Sequence, residues 1–175
     1  MDHLKYLIEN NIVCLEQGIS LLKEIEDHVY THTDPPVYSS GIGDHYRHCV
    51  EHYLSFLNGI DGRCVDYDAR KRDLLISTER GHAVKVTEEI IAALKGISCT
   101  GAALRVKMDC KLDDEDGAVW VDSTVERDLQ YLQAHTIHHY ALIAIIVRLQ
   151  GLEPGDEFGV APSTLTYRKR QKQAA

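Results

Sequence analysis

The 175-residue chain has no CxxC pair, no apolar run approaching the roughly 20 residues of a membrane span, and no excess of positive charge. Its five cysteines, Cys14, Cys49, Cys64, Cys99 and Cys110, are scattered and odd in number. That pattern argues against a disulfide framework and for reduced thiols in a cytosolic compartment. The opening MDHLKYLIENN lacks a basic segment followed by an apolar one, so no secretion signal is expected and the expected location is cytoplasmic. A net charge of −8 disfavours nucleic acid and anionic membrane as partners. The basic run Arg168 to Lys172 is a local exception and reads as a solvated tail. Also missing are a G-x-S-x-G elbow, a P-loop and a G-x-G-x-x-G loop in a strand-to-helix context.

What is present is helical periodicity. Leu4, Ile8, Ile12, Leu15, Ile19, Leu22, Ile25 and Val29 recur at threes and fours and predict a first helix that stops before Asp34-Pro35-Pro36. A second is predicted from Ile42 to Asn58, with Ser39 and Ser40 offering cap hydroxyls and Gly59 and Gly62 ending it. Arg63 to Leu75 is charged and without period, and reads as a long connection of the kind that often carries function. A third helix spans Thr78 to Ile97 on a stripe of Val84, Thr87, Ile91 and Leu94. Ala103 to Leu112 alternates at period two, Asp113 to Gly117 is turn chemistry, and Ala118 to Val121 is strand-like; together they predict a β-hairpin. A capping box of Ser123 and Glu126 opens the last helix, which Gly151 and Pro154 close after Gln150. Residues from about 160 to 175 read as an irregular tail. The prediction is a single all-α domain over 1–175: a four-helix bundle with a small β-hairpin between helices three and four.

The chemistry lies in the histidines. His135 and His139 stand four apart within the stripe Val125, Leu129, Leu132, Leu142, Ile143 and Ile146, so both should point inward. Inward imidazoles need partners for their ring nitrogens, and one metal ion satisfies two at once. On the second helix His45, His48 and His52 share one face. A third ligand from this trio would complete a three-histidine site with an open position, the layout of a catalytic zinc. The apolar direction set by Ile42, Cys49, Tyr53 and Phe56 favours His45 slightly, and spacing alone leaves all three open. His138 points about 100° away from His139 and reads as a flank. Taken singly, each of these histidines would read as a core or surface residue bonded to a carbonyl; it is the grouping that points to metal. The inner faces carry histidines rather than carboxylates, which argues against a di-iron carboxylate centre.

Two segments, IGDHYRHCVEH (Ile42 to His52) and AHTIHHYALI (Ala134 to Ile143), give the chain a resemblance to the DinB-like (DinB/YfiT-like) family of metalloenzymes. The resemblance implies an up-up-down-down four-helix bundle, often dimeric. It implies a divalent ion, zinc or nickel, on His48, His135 and His139; beside these, His45, His52, His138, Tyr46 and Tyr53 are the nearby candidates for supporting or proton-transfer roles. It also implies a small-molecule substrate, with thiol S-transfer using a low-molecular-weight thiol, or hydrolysis, as the reaction. No catalytic residue is assigned. Where family members often carry Arg-Gly-Gln after the last ligand, this chain has Tyr140-Ala141-Leu142. The alternative expectation is a non-catalytic, stress-related bundle with a structural metal or none, acting in binding or dimerisation.

Overall fold

The computed structural model describes residues 3–98, 101–108 and 119–174. Within them the chain is mostly helical, with seven helices and three short strands. In order these are α1 (His3–Glu24), α2 (Asp27–Thr31), α3 (Ile42–Gly59), β1 (Cys64–Asp66), α4 (Leu74–Thr78), α5 (Arg80–Lys95), β2 (Ala103–Lys107), β3 (Trp120–Thr124), α6 (Val125–Leu149) and α7 (Pro162–Ala174). The four longest helices close a ring of contacts: α1 packs on α5 and α6, and α3 packs on the same two. Their apolar stripes meet in a core that includes Leu15, Leu22, Tyr53, Phe56, Leu94, Leu129, Leu132 and Ile143.

A polar link fixes the register of three of these helices. Asn11 is fully buried; its Nδ2 donates to the Leu7 carbonyl at 2.9 Å and to the Leu129 carbonyl of α6 at 3.0 Å. Tyr53 of α3 donates to Asn11 Oδ1 at 2.7 Å. Every polar atom of the Asn11 amide therefore has a partner, which makes its burial affordable.

One long periodic run divides and another starts late. The first breaks at Glu26, whose backbone is extended, although Ile25 and Val29 stay buried on either side. The apolar stripe passes through the break, so periodicity could not register it. The third, expected from Thr78 to Ile97, begins at Arg80 as α5 after an extended Glu79, and α4 precedes it inside the stretch read as a connection. Asp73 caps α4, its Oδ1 accepting from Leu75 N at 3.0 Å.

The connection read over Arg63 to Leu75 contains β1, which pairs parallel with β2, while β2 pairs antiparallel with β3 from Ala103↔Thr124 to Lys107↔Trp120. A three-residue strand carries too little pattern to be seen in sequence. The second hairpin strand continues to Thr124, past the Val121 expected; the predicted turn at Asp113 to Gly117 lies outside the described residues.

The helix caps also differ from expectation. Gly41, not Ser39 or Ser40, opens α3, and its N–H donates to Asp44. Thr124, not Ser123, caps α6 by accepting from Arg127 N, while Ser123 Oγ donates to Asp128. The tail expected to be irregular is α7. It starts on a proline, is built from good helix formers, and is exposed nearly throughout, so it offers no stripe to detect.

Candidate metal centre

The histidines collect where α3 and α6 face each other. Along this part of α6 the buried positions include Leu132, Thr136, Tyr140 and Ile143. His135 and His139 precede Thr136 and Tyr140, so they sit on the shoulder of the stripe, half-buried, rather than at its centre. On α3 His52 is buried, while His45 and His48 are half-buried. His48, His52 and His135 bring potential ligand atoms within 4.8 Å of one another and could hold a metal ion. The ring of His48 is 4.4 Å from His52, 5.0 Å from His135 and 4.6 Å from His139. His139 is 4.7 Å from His135 and 5.3 Å from His45.

The hydrogen bonds identify which nitrogens are free. His52 Nδ1 lies 2.7 Å from the His48 carbonyl, which can only accept, so this nitrogen carries the proton and Nε2 keeps its lone pair. The contact between His45 Nδ1 and His139 Nδ1 at 3.1 Å needs one donor and one acceptor. With His139 donating, its Nε2 is free and His45 orients it from behind, the usual outer support of a ligating imidazole. His135 Nε2 is buried with no protein partner at all. A buried orphan nitrogen is costly, and a metal ion is a partner of the right chemistry.

Burial, reinforced by the neighbouring histidines and Arg70, pushes His48 down to about 3. His139 is pushed down to about 3 in the same way, chiefly by burial and then by His135. Burial likewise brings His52 and His135 to about 4, and lowers His45. All are neutral imidazoles at neutral pH, the form that ligates metal.

Three surrounding residues were not singled out from sequence as site groups. Arg70, in the charged connection before α4, places Nη1 2.9 Å from His48 Nδ1 and 3.2 Å from His52 Nδ1. Tyr67 stacks on His52 at 5.4 Å and donates to the buried Asp128 at 2.9 Å. Tyr131 stacks on His135 at 5.4 Å and touches Tyr67. The two tyrosines wall one side of the cluster. The available signal was the unpatterned charged connection itself, which carries Tyr67 and Arg70. On the other side the cluster meets a cleft of about 390 Å³ lined by Ser40, Asp44, His45, Arg47, His48 and His139.

The remaining candidates fall elsewhere. Tyr46 is buried against Thr87 of α5 at 3.1 Å, and Tyr53 belongs to the Asn11 link. Both point their hydroxyls into the core. His138 is exposed and meets only the edge of His139, at 5.1 Å. Among the described residues, no helix is long and apolar enough to cross a membrane.

No family model matches the chain. A stretch of 108 residues, 61% of the chain, is 31% identical to the FK506-binding protein 5 of Rhizopus delemar. The match spans 28% of that protein's length.

Proposed function

We propose that the chain is a metal-dependent enzyme of the DinB-like type, an up-up-down-down four-helix bundle with a histidine-held divalent ion, zinc or nickel. The observation that carries this reading is the buried, partnerless His135 Nε2 facing two further neutral imidazoles, His48 and His52. Its substrate is a small molecule that enters by the cleft at His45, His48 and His139. When bound, the ion supplies Lewis acidity that lowers the pKa of a water or a thiol, the chemistry of hydrolysis or of thiol S-transfer. The protein's own groups do the rest. His45 and His139 share a proton between their Nδ1 atoms at the cleft, in position to pass it to or from a bound molecule. Tyr67 and Tyr131 exclude water from the far side. A homodimer in the cytoplasm accompanies this reading; Ile145 and Leu149, exposed on α6, offer it apolar surface. The name of the Rhizopus relative refers to binding of FK506, and the partial match transfers no ligand to this chain.

His48 and His135 are common to two ligand sets: spacing of ligand atoms favours His52 as the third, and the resemblance implies His139. Metal content by plasma mass spectrometry, with His52→Ala, His135→Ala and His139→Ala beside the wild type, separates them. About one ion per chain is expected, lost in His135→Ala and in one of the other two. If His139 is the one removed without loss, it is the cleft-side proton carrier. Should both be required, the ion has four protein ligands and no open position. That result would favour the second reading, a structural metal in a binding or dimerisation module, for which the entry of His52 into the group speaks. No ion in the wild type after supplementation with zinc and nickel removes the enzyme reading.

A further inference from the structure

Arg70 occupies an unusual position. Its guanidinium lies against two imidazoles of the candidate centre, and its Nε is buried with no partner. Among the described residues it forms no ion pair with a carboxylate. A guanidinium only donates, so the proton-free nitrogen of the Arg70–His48 pair is His48 Nδ1. A neutral imidazole has one lone pair, and here Arg70 takes it. If the ion binds His48 at Nδ1, it needs that same lone pair. If it binds at Nε2, the proton moves to Nδ1, which then cannot accept from Arg70. By either route the Arg70–His48 hydrogen bond and a metal–His48 bond exclude each other.

The surroundings say what a released Arg70 would meet. Arg70 lines a second cleft, about 390 Å³, with Glu51, Asp66, Lys71 and Asp73. Each carboxylate there is already engaged: Glu51 with Arg47 at 3.2 Å, Asp66 with Lys107 at 3.4 Å, and Asp73 with His82 at 3.0 Å. Arg70 and Lys71 have no such partner among the described residues, so the uncommitted charge of this cleft is positive. The histidines bring no negative charge either. A divalent ion beside a free guanidinium is a concentrated positive site without a counter-charge, and the fork of a guanidinium matches a carboxylate.

We infer that metal loading releases Arg70 from His48 and turns its guanidinium into the arm that holds a carboxylate of the bound small molecule. This rests on the metal reading above and adds a substrate class to it: carboxylate-bearing small molecules, held at two points by ion and arginine.

Cobalt(II) tests it, because it takes the place of zinc and its visible spectrum reports what binds beside the imidazoles. Cobalt affinity is measured by competition with a chelating dye, and acetate is then titrated into the cobalt-loaded protein. Arg70→Gln should bind cobalt at least about fivefold more tightly, since no charged hydrogen bond has to be broken. Its acetate affinity should fall about tenfold or more. Arg70→Lys, which keeps the charge but lacks the fork, should fall between in acetate affinity; if Arg70→Gln does not fold by circular dichroism, this variant carries the test. Unchanged cobalt and acetate affinities in a folded variant overturn the inference and leave the metal reading standing. A wild type that binds no cobalt, zinc or nickel overturns both.

Discussion

At the scale of single residues, the histidine cluster makes the metal-free protein acid-sensitive in a particular way. Burial holds His48 and His139 near 3, and His52 and His135 near 4, whereas an unfolded histidine titrates near about 6.5. Between those values the unfolded chain binds protons that the folded one refuses, so stability rises with pH across that window and levels off above it. The metal-free protein should therefore lose thermal stability as pH falls from about 6.5 towards 4. His139→Gln and His52→Gln should flatten that slope when Tm is followed by circular dichroism; an unchanged slope would show that these imidazoles are not held neutral by the fold. The sequence displayed all five histidines and the two helices that carry them. It placed His45, His48 and His52 on one face without marking His52 as the buried one, because helical spacing gives a direction but not the depth to which a neighbouring segment buries it. Tyr67, the residue that follows β1, supplies that depth. Arg70 was equally hidden, since a charged residue in an unpatterned connection has no period by which to be placed.

The elements are held at their working distances by a few close approaches. A Cβ on Gly43 of α3 would lie 2.1 Å from the Ser77 carbonyl oxygen of α4 and 3.1 Å from the Tyr30 ring. The obstacle is backbone, which cannot swing aside, so Gly43→Ala should cost at least about 1–3 kcal/mol despite its gain in helix propensity. Gly81 of α5 has nothing within 4 Å of the corresponding position. Gly81→Ala should raise stability by roughly 0.5–1 kcal/mol. Urea titrations of the two variants should shift the midpoint in opposite directions; a shift the same way in both would mean that helix propensity, not the α3–α4 contact, governs. The four long helices were legible because each buries a continuous stripe. The break at Glu26, the short α4 and the parallel pairing of β1 were not, since the first leaves the stripe intact, the second is a few residues inside an unpatterned connection, and the third depends on a strand about forty residues further along. The helix α7 escaped for the opposite reason, having no buried face. Gly159, at φ +70°, brings the segment before α7 against the backbone of Tyr140, where a Cβ would lie 2.6 Å away, and lets Phe158 stack on the Tyr140 ring at 4.7 Å.

For the whole molecule, an ion shared by α3 and α6 is a cross-link between distant parts of the chain. Only the folded state assembles the imidazoles, so binding adds to folding stability. At a free metal concentration about 100 times Kd the gain is about 2.7 kcal/mol, or roughly 5–10 °C in Tm for a chain of this size. Zinc or nickel should produce that rise in the wild type, a chelator should reverse it, and His135→Ala should abolish it, as read by differential scanning calorimetry. A rise of the same size in His135→Ala would place the ion elsewhere.

The order in which these parts leave the ribosome follows from the same separation. His48, His52 and Arg70 all lie in the first half of the chain, and His135 comes only with α6. For the time that takes, the growing protein carries two imidazoles without the third. Arg70 is already made by then and can sit on the lone pair of His48. In that interval the chain already offers His48 a cation of its own, while a three-ligand site waits for α6.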